Sequence, residues 1–251
     1  MKTRIITASI LLVAFLLLIW IDNFWLNYLL FGVVIAFAFV ESLKIYNIEE
    51  SKLIVIALFC YLLLSLSSSA PFILAICVIM LYLIVIASFL AYNKSPSLKP
   101  LLPFIYPLAP LFLLFSLYKD FGIAYFAWLL FAIIASDSGG YFLGKKFGKR
   151  AFSPSSPNKT LEGVVGALCC GTLFGTIFGF FFIEELEMAV VFKFSLIVVL
   201  FGIFGDLFES YLKRAANIKD SGSLFPGHGG MLDRIDGYLF GAVGAVLVLI
   251  W

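Results

Sequence analysis

Charge is what this sequence has least of. Asp, Glu, Lys and Arg make up 13% of its 251 residues, against about 25% in a soluble domain. Hydrophobic residues supply 63%, where a soluble domain runs about 45–50%. That balance excludes a water-soluble globule and leaves a polytopic membrane protein. The net charge of +2 is too small to argue for a nucleic-acid partner. Cysteine is scarce too: Cys60, Cys77, Cys169 and Cys170 lie inside apolar runs, without the paired spacing of a zinc site. They read as small buried hydrophobes. Adjacent Cys169 and Cys170 point to different helix faces, which weighs against joint ligation. Histidine occurs once, at His228. No polar stretch between apolar runs exceeds about 25 residues, so any active site has to be built by helices and short loops.

Long apolar runs are what the chain does have. A membrane-crossing helix needs roughly 20 mostly apolar residues, or about 17 at the short end. Candidate spans are residues 5–21, 24–40, 53–69, 71–91, 101–118, 121–143, 163–183, 189–209 and 235–251. The predicted fold is all-α, a polytopic integral membrane helical bundle of about nine transmembrane helices. Asp22 and Asn23 alone separate the first two spans, which predicts a tight helical hairpin. A Ser-rich turn ending at Pro71 separates the third and fourth. The opening Met-Lys-Thr-Arg before an apolar run resembles a signal peptide. No small-residue cleavage site followed by a soluble domain accompanies it, so a retained first span is expected.

Lysine and arginine in short loops set orientation. With a cytoplasmic N-terminus, 15 of the 17 basic residues fall on the inner side. Only Lys119 and Lys193 fall outside, where Glu184, Glu185 and Glu187 also lie. The expected organisation is residues 1–120 as about five N-terminal spans, and residues 121–251 as a catalytic region carrying the polar motifs. The seventh span holds Gly171, Gly175 and Gly179, and the ninth Gly237, Gly241 and Gly244. Small residues at such spacing let helix backbones approach closely.

The charged exception runs from Gly205 to Gly237, between two apolar spans. It holds Asp206, Glu209, Lys213, Arg214, Lys219, Asp220, His228, Asp233, Arg234 and Asp236, a density that marks a functional site in a membrane protein. If the eighth helix continues through Asp206, then Glu209, Ser210 and Lys213 share its face. Asp233 and Asp236 share a face at the head of the ninth, where the helix dipole alone would favour them. Converging with Asp206, they would instead make an all-oxygen site suited to Mg²⁺. Between the helices, Gly222, Pro226, Gly227, Gly229 and Gly230 give backbone that can approach a phosphate, which Lys213, Arg214 and Lys219 can neutralise. The plainer reading is a flexible turn whose basic residues obey the positive-inside rule. His228 suits a hydrogen bond to phosphate or backbone better than metal ligation. A second polar patch comprises Ser136-Asp137-Ser138-Gly139-Gly140-Tyr141, the basic run Gly144–Arg150, and Ser156–Gly163. Asp137 in apolar surroundings needs a metal, Lys or Arg beside it.

Ser210-x-Leu-Lys-Arg214, Lys219-Asp-Ser-Gly222 and Pro226-Gly-His-Gly-Gly-Met-Leu-Asp-Arg-Ile-Asp236 resemble the signature of phosphatidate cytidylyltransferases (CDP-diacylglycerol synthases). Ser136-Asp137, Ser156-Pro-Asn-Lys-Thr160 and Glu162-Gly163 are similar to that family's other polar segments. The resemblance covers the chain from about residue 131, while the N-terminal half is similar only in being hydrophobic. Ser138 stands where Thr is more usual, keeping the hydroxyl, and Gly140 where a slightly larger small residue is common.

The resemblance implies Mg-dependent transfer of CMP from CTP to phosphatidic acid, giving CDP-diacylglycerol and pyrophosphate for phospholipid synthesis. It implies Asp206, Asp233 and Asp236 as metal ligands, and leaves a second monovalent or divalent cation open. Asp137, Lys159, Lys213, Arg214, Lys219, Asp220, His228 and Arg234 become the catalytic and phosphate-contact candidates. CTP, phosphatidic acid and membrane lipids are the expected partners, with a homodimer suggested by the resemblance and no nucleic acid. A multi-pass protein of a bacterial inner membrane, its site on the cytoplasmic face, is expected. The alternatives are a CTP-dependent polyprenol or phytol-type lipid kinase, and an ion-coupled transporter, since intramembrane carboxylates also mark ion pathways.

Overall fold

The structure is a computed structural model that describes residue 13 and residues 16–49, 52–66, 71–92 and 97–250. Its helices are α1 (Phe24–Ile45), α2 (Leu53–Leu66), α3 (Pro71–Tyr92), α4 (Ala109–Phe121), α5 (Ile123–Phe147), α6 (Leu161–Phe182), α7 (Met188–Ala215) and α8 (Leu232–Ile250). A two-stranded antiparallel hairpin, β1 (Ala151–Ser153) and β2 (Ser156–Thr160), supplies the only named strands among the described residues.

Among the described residues, six helical stretches are long and apolar enough to cross a membrane: Phe24–Ile45, Phe72–Tyr92, Lys99–Phe121, Ile123–Phe147, Leu161–Phe182 and Met188–Ala215. The chain is a multi-pass helical membrane protein. The expected third span is helical over residues 53–66, and its last residues, 67–69, lie outside the described residues. The first expected span and the Ser-rich turn before Pro71 fall largely outside the described residues. The ninth is α8, which carries Asp233, Arg234 and Asp236 in its first turns. Two predicted ends also move: α1 runs to Ile45 rather than residue 40, and α7 to Ala215 rather than 209.

The described residues form two compact units. One comprises those up to Asp120 with Ala216–Arg234, and the other Phe121–Ala215 with those from Ile235 onward. In the first, helical residues 16–21 stop at Asp22, and Asn23 caps α1 by accepting the Leu26 N–H at 3.0 Å. This is the break expected between the first two spans. The core is aromatic: Phe31, Phe39, Phe104, Phe112 and Phe115 are buried. Pro107 interrupts the turns before α4, because proline lacks an N–H. The Tyr106 carbonyl there accepts the Tyr46 hydroxyl at 3.2 Å.

Lys119, one of the two basic residues left outside by the charge partition, has a local task. Its Nζ donates to the Leu64 and Ser65 carbonyls, at 3.3 and 2.9 Å, at the end of α2. Neighbouring Asp120 accepts the Phe72 N–H at 3.2 Å at the start of α3. A cation thus meets a helix C-terminus and an anion an N-terminus, both in the sense the helix dipole favours.

The second unit is built on close helix approach. A methyl added at Gly171 would meet Ser136 Cβ at 2.8 Å and Val199 Cγ2 at 2.7 Å, and one at Gly179 the Trp128 ring at 2.6 Å. Gly237, Gly241 and Gly244 face Ile133, Val198 and Ile197 less tightly, where an added Cβ would lie at 3.3, 3.5 and 3.2 Å. The small-residue pattern is therefore packing, as its spacing predicts. Trp128 is fully buried, stacks on Phe194 at 3.9 Å, and donates its indole N–H to the Gly175 carbonyl at 2.7 Å. A Cβ at Gly175 would lie 2.9 Å from Ala132 Cβ and 3.0 Å from Ser195 Oγ. Gly175→Val should therefore lower stability by about 1–3 kcal/mol through overpacking, read as a lower unfolding temperature in detergent.

The cysteines depart from their expected burial. Cys60 is buried and Cys170 half-buried, but Cys77 and Cys169 are exposed on apolar helices. A thiol behaves as a small apolar group and costs little where the surrounding solvent is hydrocarbon.

Candidate active site

The second unit contains a cavity of about 460 Å³ whose lining includes Ser136, Asp137, Lys145, Asn158, Lys159 and Asp206. Each arrives for a local reason. Asp137 sits in α5, where Gly140 and Gly144 face Gly163 of α6. A Cβ at Gly163 would lie 3.0 Å from the Gly140 carbonyl and 3.2 Å from Gly144 Cα. Leaving α5, the chain turns through the hairpin, with Ala151 opposite Thr160 and Ser153 opposite Ser156. Thr160 ends β2 and caps α6, its hydroxyl accepting the Gly163 N–H at 3.1 Å. Glu162 then accepts the Lys149 and Arg150 N–H groups at 3.0 and 3.3 Å. These ties hold the strand carrying Asn158 and Lys159 against the helix start.

From β2, Lys159 forms an ion pair with Asp206 of α7. Both side chains are about one-third open, at 28% and 31% exposure. One helical turn on, Glu209 is buried and accepts Lys213 Nζ at 2.8 Å. Asp236 lies close enough to Asp206 and Glu209 for their charges to interact. The eighth span thus continues as a helix through Asp206 and Lys213, with the shared face the spacing predicts. Lys213 is engaged with Glu209, and Arg214 is exposed. Asp137 is exposed and opens into the cavity rather than being enclosed by apolar neighbours.

The other candidates belong to the first unit. Lys219 and Asp220 are exposed. The loop from Ser221 turns through Gly227 and Gly229, at φ 78° and 83°, a backbone region that glycine enters without strain. Phe225 and Gly229 bridge across it, and the His228 carbonyl accepts Arg234 Nε at 3.0 Å. Asp233 Oδ2 accepts the Ser221 and Gly230 N–H groups, each at 2.8 Å, and lies 2.9 Å from Ser221 Oγ.

Two features escaped sequence reasoning. Lys145 lines the cavity with its Nζ 5.8 Å from the Tyr141 ring centre, although the sequence marks it only as one of a basic run. Glu41 is buried in α1 and hydrogen-bonded to Ser221, Met231 and Leu232. A lone carboxylate near an apolar span was the available signal.

The donors here are hard oxygens. Asp137 and Asp206 carboxylates share the cavity with the Ser136 and Thr160 hydroxyls. Among the described residues, no three Asp, Glu, His or Cys side chains gather to hold a metal ion by themselves. One or two carboxylates completed by substrate phosphates is nonetheless the usual Mg²⁺ arrangement, so the residues present fit that ion.

A profile of the cytidylyltransferase family matches residues 2–251. The chain is 40% identical to a phosphatidate cytidylyltransferase of Helicobacter pylori strain ATCC 700392 / 26695 over 245 residues, covering 97% of this chain and 90% of that protein. It is 42% identical over 122 residues to one from Bacillus subtilis strain 168, covering 48% of this chain and 45% of that one. With one from Thermotoga maritima it shares 41% over 138 residues, covering 53% and 51%.

Proposed function

Because the chain belongs to the cytidylyltransferase family, we propose that its reaction is the transfer of CMP from CTP to phosphatidic acid, giving CDP-diacylglycerol and pyrophosphate. The observation that carries this reading is the cavity in which Lys145 and Lys159 stand with Asp137 and Asp206. Its volume, about 460 Å³, lies within the range of small-molecule sites.

A phosphate oxygen of phosphatidic acid attacks the α-phosphorus of CTP, a new P–O bond forms, and the bond to the β-phosphate breaks to release pyrophosphate. The nucleophile is already anionic at neutral pH, so no strong general base is required. What remains is to hold two anions together and offset their repulsion. Lys159 and Lys145 supply positive charge to the cavity, Asn158 and the Ser136 and Thr160 hydroxyls can orient phosphate oxygens, and the hairpin fixes Lys159. Asp206 and Asp137, with Asp236 beside Asp206, are the carboxylates offered to Mg²⁺. When bound, the ion would neutralise charge on the α-phosphate and the departing pyrophosphate. Asp233 enters through its place in the sequence motif, as do Lys219, Asp220, His228 and Arg234. We place the site at the cytoplasmic face of a bacterial inner membrane, in a nine-span chain with a cytoplasmic N-terminus. Support comes from the basic-residue partition and the bacterial relatives. A homodimer rests on the family resemblance alone.

The test uses purified protein in detergent or lipid with phosphatidic acid, CTP labelled at the α- or γ-phosphate, and Mg²⁺. Label from the α-phosphate should enter the lipid and γ-label leave as pyrophosphate, with EDTA abolishing transfer. Only γ-label in lipid would replace the reaction with a kinase. Persistence of full transfer in EDTA would remove the metal from the proposal.

A further inference from the structure

We infer that Glu41 is a positioning residue for this reaction: a carboxylate on α1 that fixes the signature loop from Ser221 to Asp233. Only 5% of Glu41 is exposed, so its carboxylate depends on protein partners for hydrogen bonds. Those partners all come from the loop. Oε1 accepts the Met231 N–H at 2.8 Å, and Oε2 accepts the Leu232 N–H at 2.9 Å and lies 2.8 Å from Ser221 Oγ.

The first N–H groups of a helix have no partner within it and usually meet a side chain just before the helix. At the head of α8 the acceptor comes instead from 190 residues away in sequence. The loop is therefore tied to α1. The Ser221 hydroxyl also contacts Asp233, whose Oδ2 takes the Ser221 and Gly230 N–H groups. Glu41 and Asp233 each tie the two ends of one loop together, and they share Ser221.

The loop backbone is shaped around that carboxylate. A Cβ at Gly222 would lie 2.5 Å from Glu41 Oε1 and 2.9 Å from its Cδ, and one at Gly230 would run into both Glu41 oxygens and Ser221 Oγ. The segment so held contains His228 and is flanked by Lys219, Asp220 and Arg234. Loss of the brace lets those groups sample many positions, and displacement by about 1 Å can cost about 100-fold in rate.

The consequence for catalysis rests on the CMP-transfer reading, and the anchoring can be measured without it. Full-length Glu41→Ala, Glu41→Gln and Gly222→Ala proteins are compared with wild type by amide hydrogen exchange over residues 219–233 and by steady-state CMP transfer. Glu41→Ala should speed exchange at Met231 and Leu232 by about tenfold or more and cut kcat about 100-fold, with the KM for CTP little changed. Glu41→Gln, which keeps one oxygen acceptor, should fall between and carries the test if the alanine variant does not fold. Gly222→Ala should impair turnover by itself. It should add nothing to Glu41→Ala, where the missing carboxylate leaves room for the methyl. Lys44→Ala, on the exposed side of the same helix end, should match wild type. Unchanged exchange in Glu41→Ala would overturn the anchoring, and faster exchange with wild-type kcat would overturn the positioning role. A wild-type protein without CMP transfer would overturn the reaction and Glu41's part in it, while exchange still decided the anchoring.

Discussion

Replacing Asp206 by Asn is expected to lower kcat for CMP transfer by about 10³-fold, the scale of losing one charged group that acts on a transition state in a water-poor site. The substitution keeps shape and hydrogen-bonding capacity but removes the charge that faces Lys159. It also removes a carboxylate that we propose for Mg²⁺ from a cavity lined, among the described residues, by one other, Asp137. Raising Mg²⁺ should not restore the rate. The fold should survive, because a pair one-third open to its surroundings contributes no more than about 1 kcal/mol, and Asn relieves repulsion from nearby Asp236. Pyrophosphate release and thermal unfolding in detergent, measured on the same sample, separate the two effects. Wild-type turnover in Asp206→Asn would remove the residue from the chemistry.

Lys159→Met is expected to cost about 100-fold in kcat/KM. Methionine keeps the length of the side chain and removes its charge. Lys159 stands on a strand rather than a floppy loop, tied on one side to β1 and on the other to the capped start of α6. Its head is therefore held where an incoming phosphate would meet it, and the loss should appear with CTP at every Mg²⁺ concentration. Lys159→Arg keeps the charge but broadens the head group, and should recover part of the rate. Because Lys159 and Asp206 touch, the double variant should be less impaired than the product of the two single losses. Simple multiplication would mean that the two residues act independently.

How much of this was legible in the sequence depends on whether the signal was local. The run of α7 through Asp206 to Lys213 follows from helical spacing, and the Glu209–Lys213 pair is a four-residue contact that such spacing predicts. The small-residue pattern of α6 likewise announced close packing, though not that Trp128 and Ser136 would be the neighbours. The Lys159–Asp206 pair joins residues 47 apart, a distance over which hydropathy and periodicity carry nothing. The hairpin behind it was missed because its strands have three and five residues and one includes Pro157, too short for an alternating pattern to register. Glu41 was missed by a single position. Reading the span as ending at residue 40 places it in a polar loop, whereas the helix runs on to Ile45 and encloses it.

The glycines that line the cavity carry one more consequence. Gly140, Gly144 and Gly163 belong both to its wall and to the nearest approach of α5 and α6, so part of that wall is bare main chain. Side chains can swing aside for a bulky guest, but main chain cannot. The opening behaves there as a fixed gauge rather than an adjustable one. A single methyl added at Gly163 would press on the Gly140 carbonyl at 3.0 Å and push the two helices apart. Since β2 runs straight through Thr160 into α6, the same push would carry Lys159 with it. Bore and charge placement are one mechanical part, and mutation cannot retune the first while sparing the second.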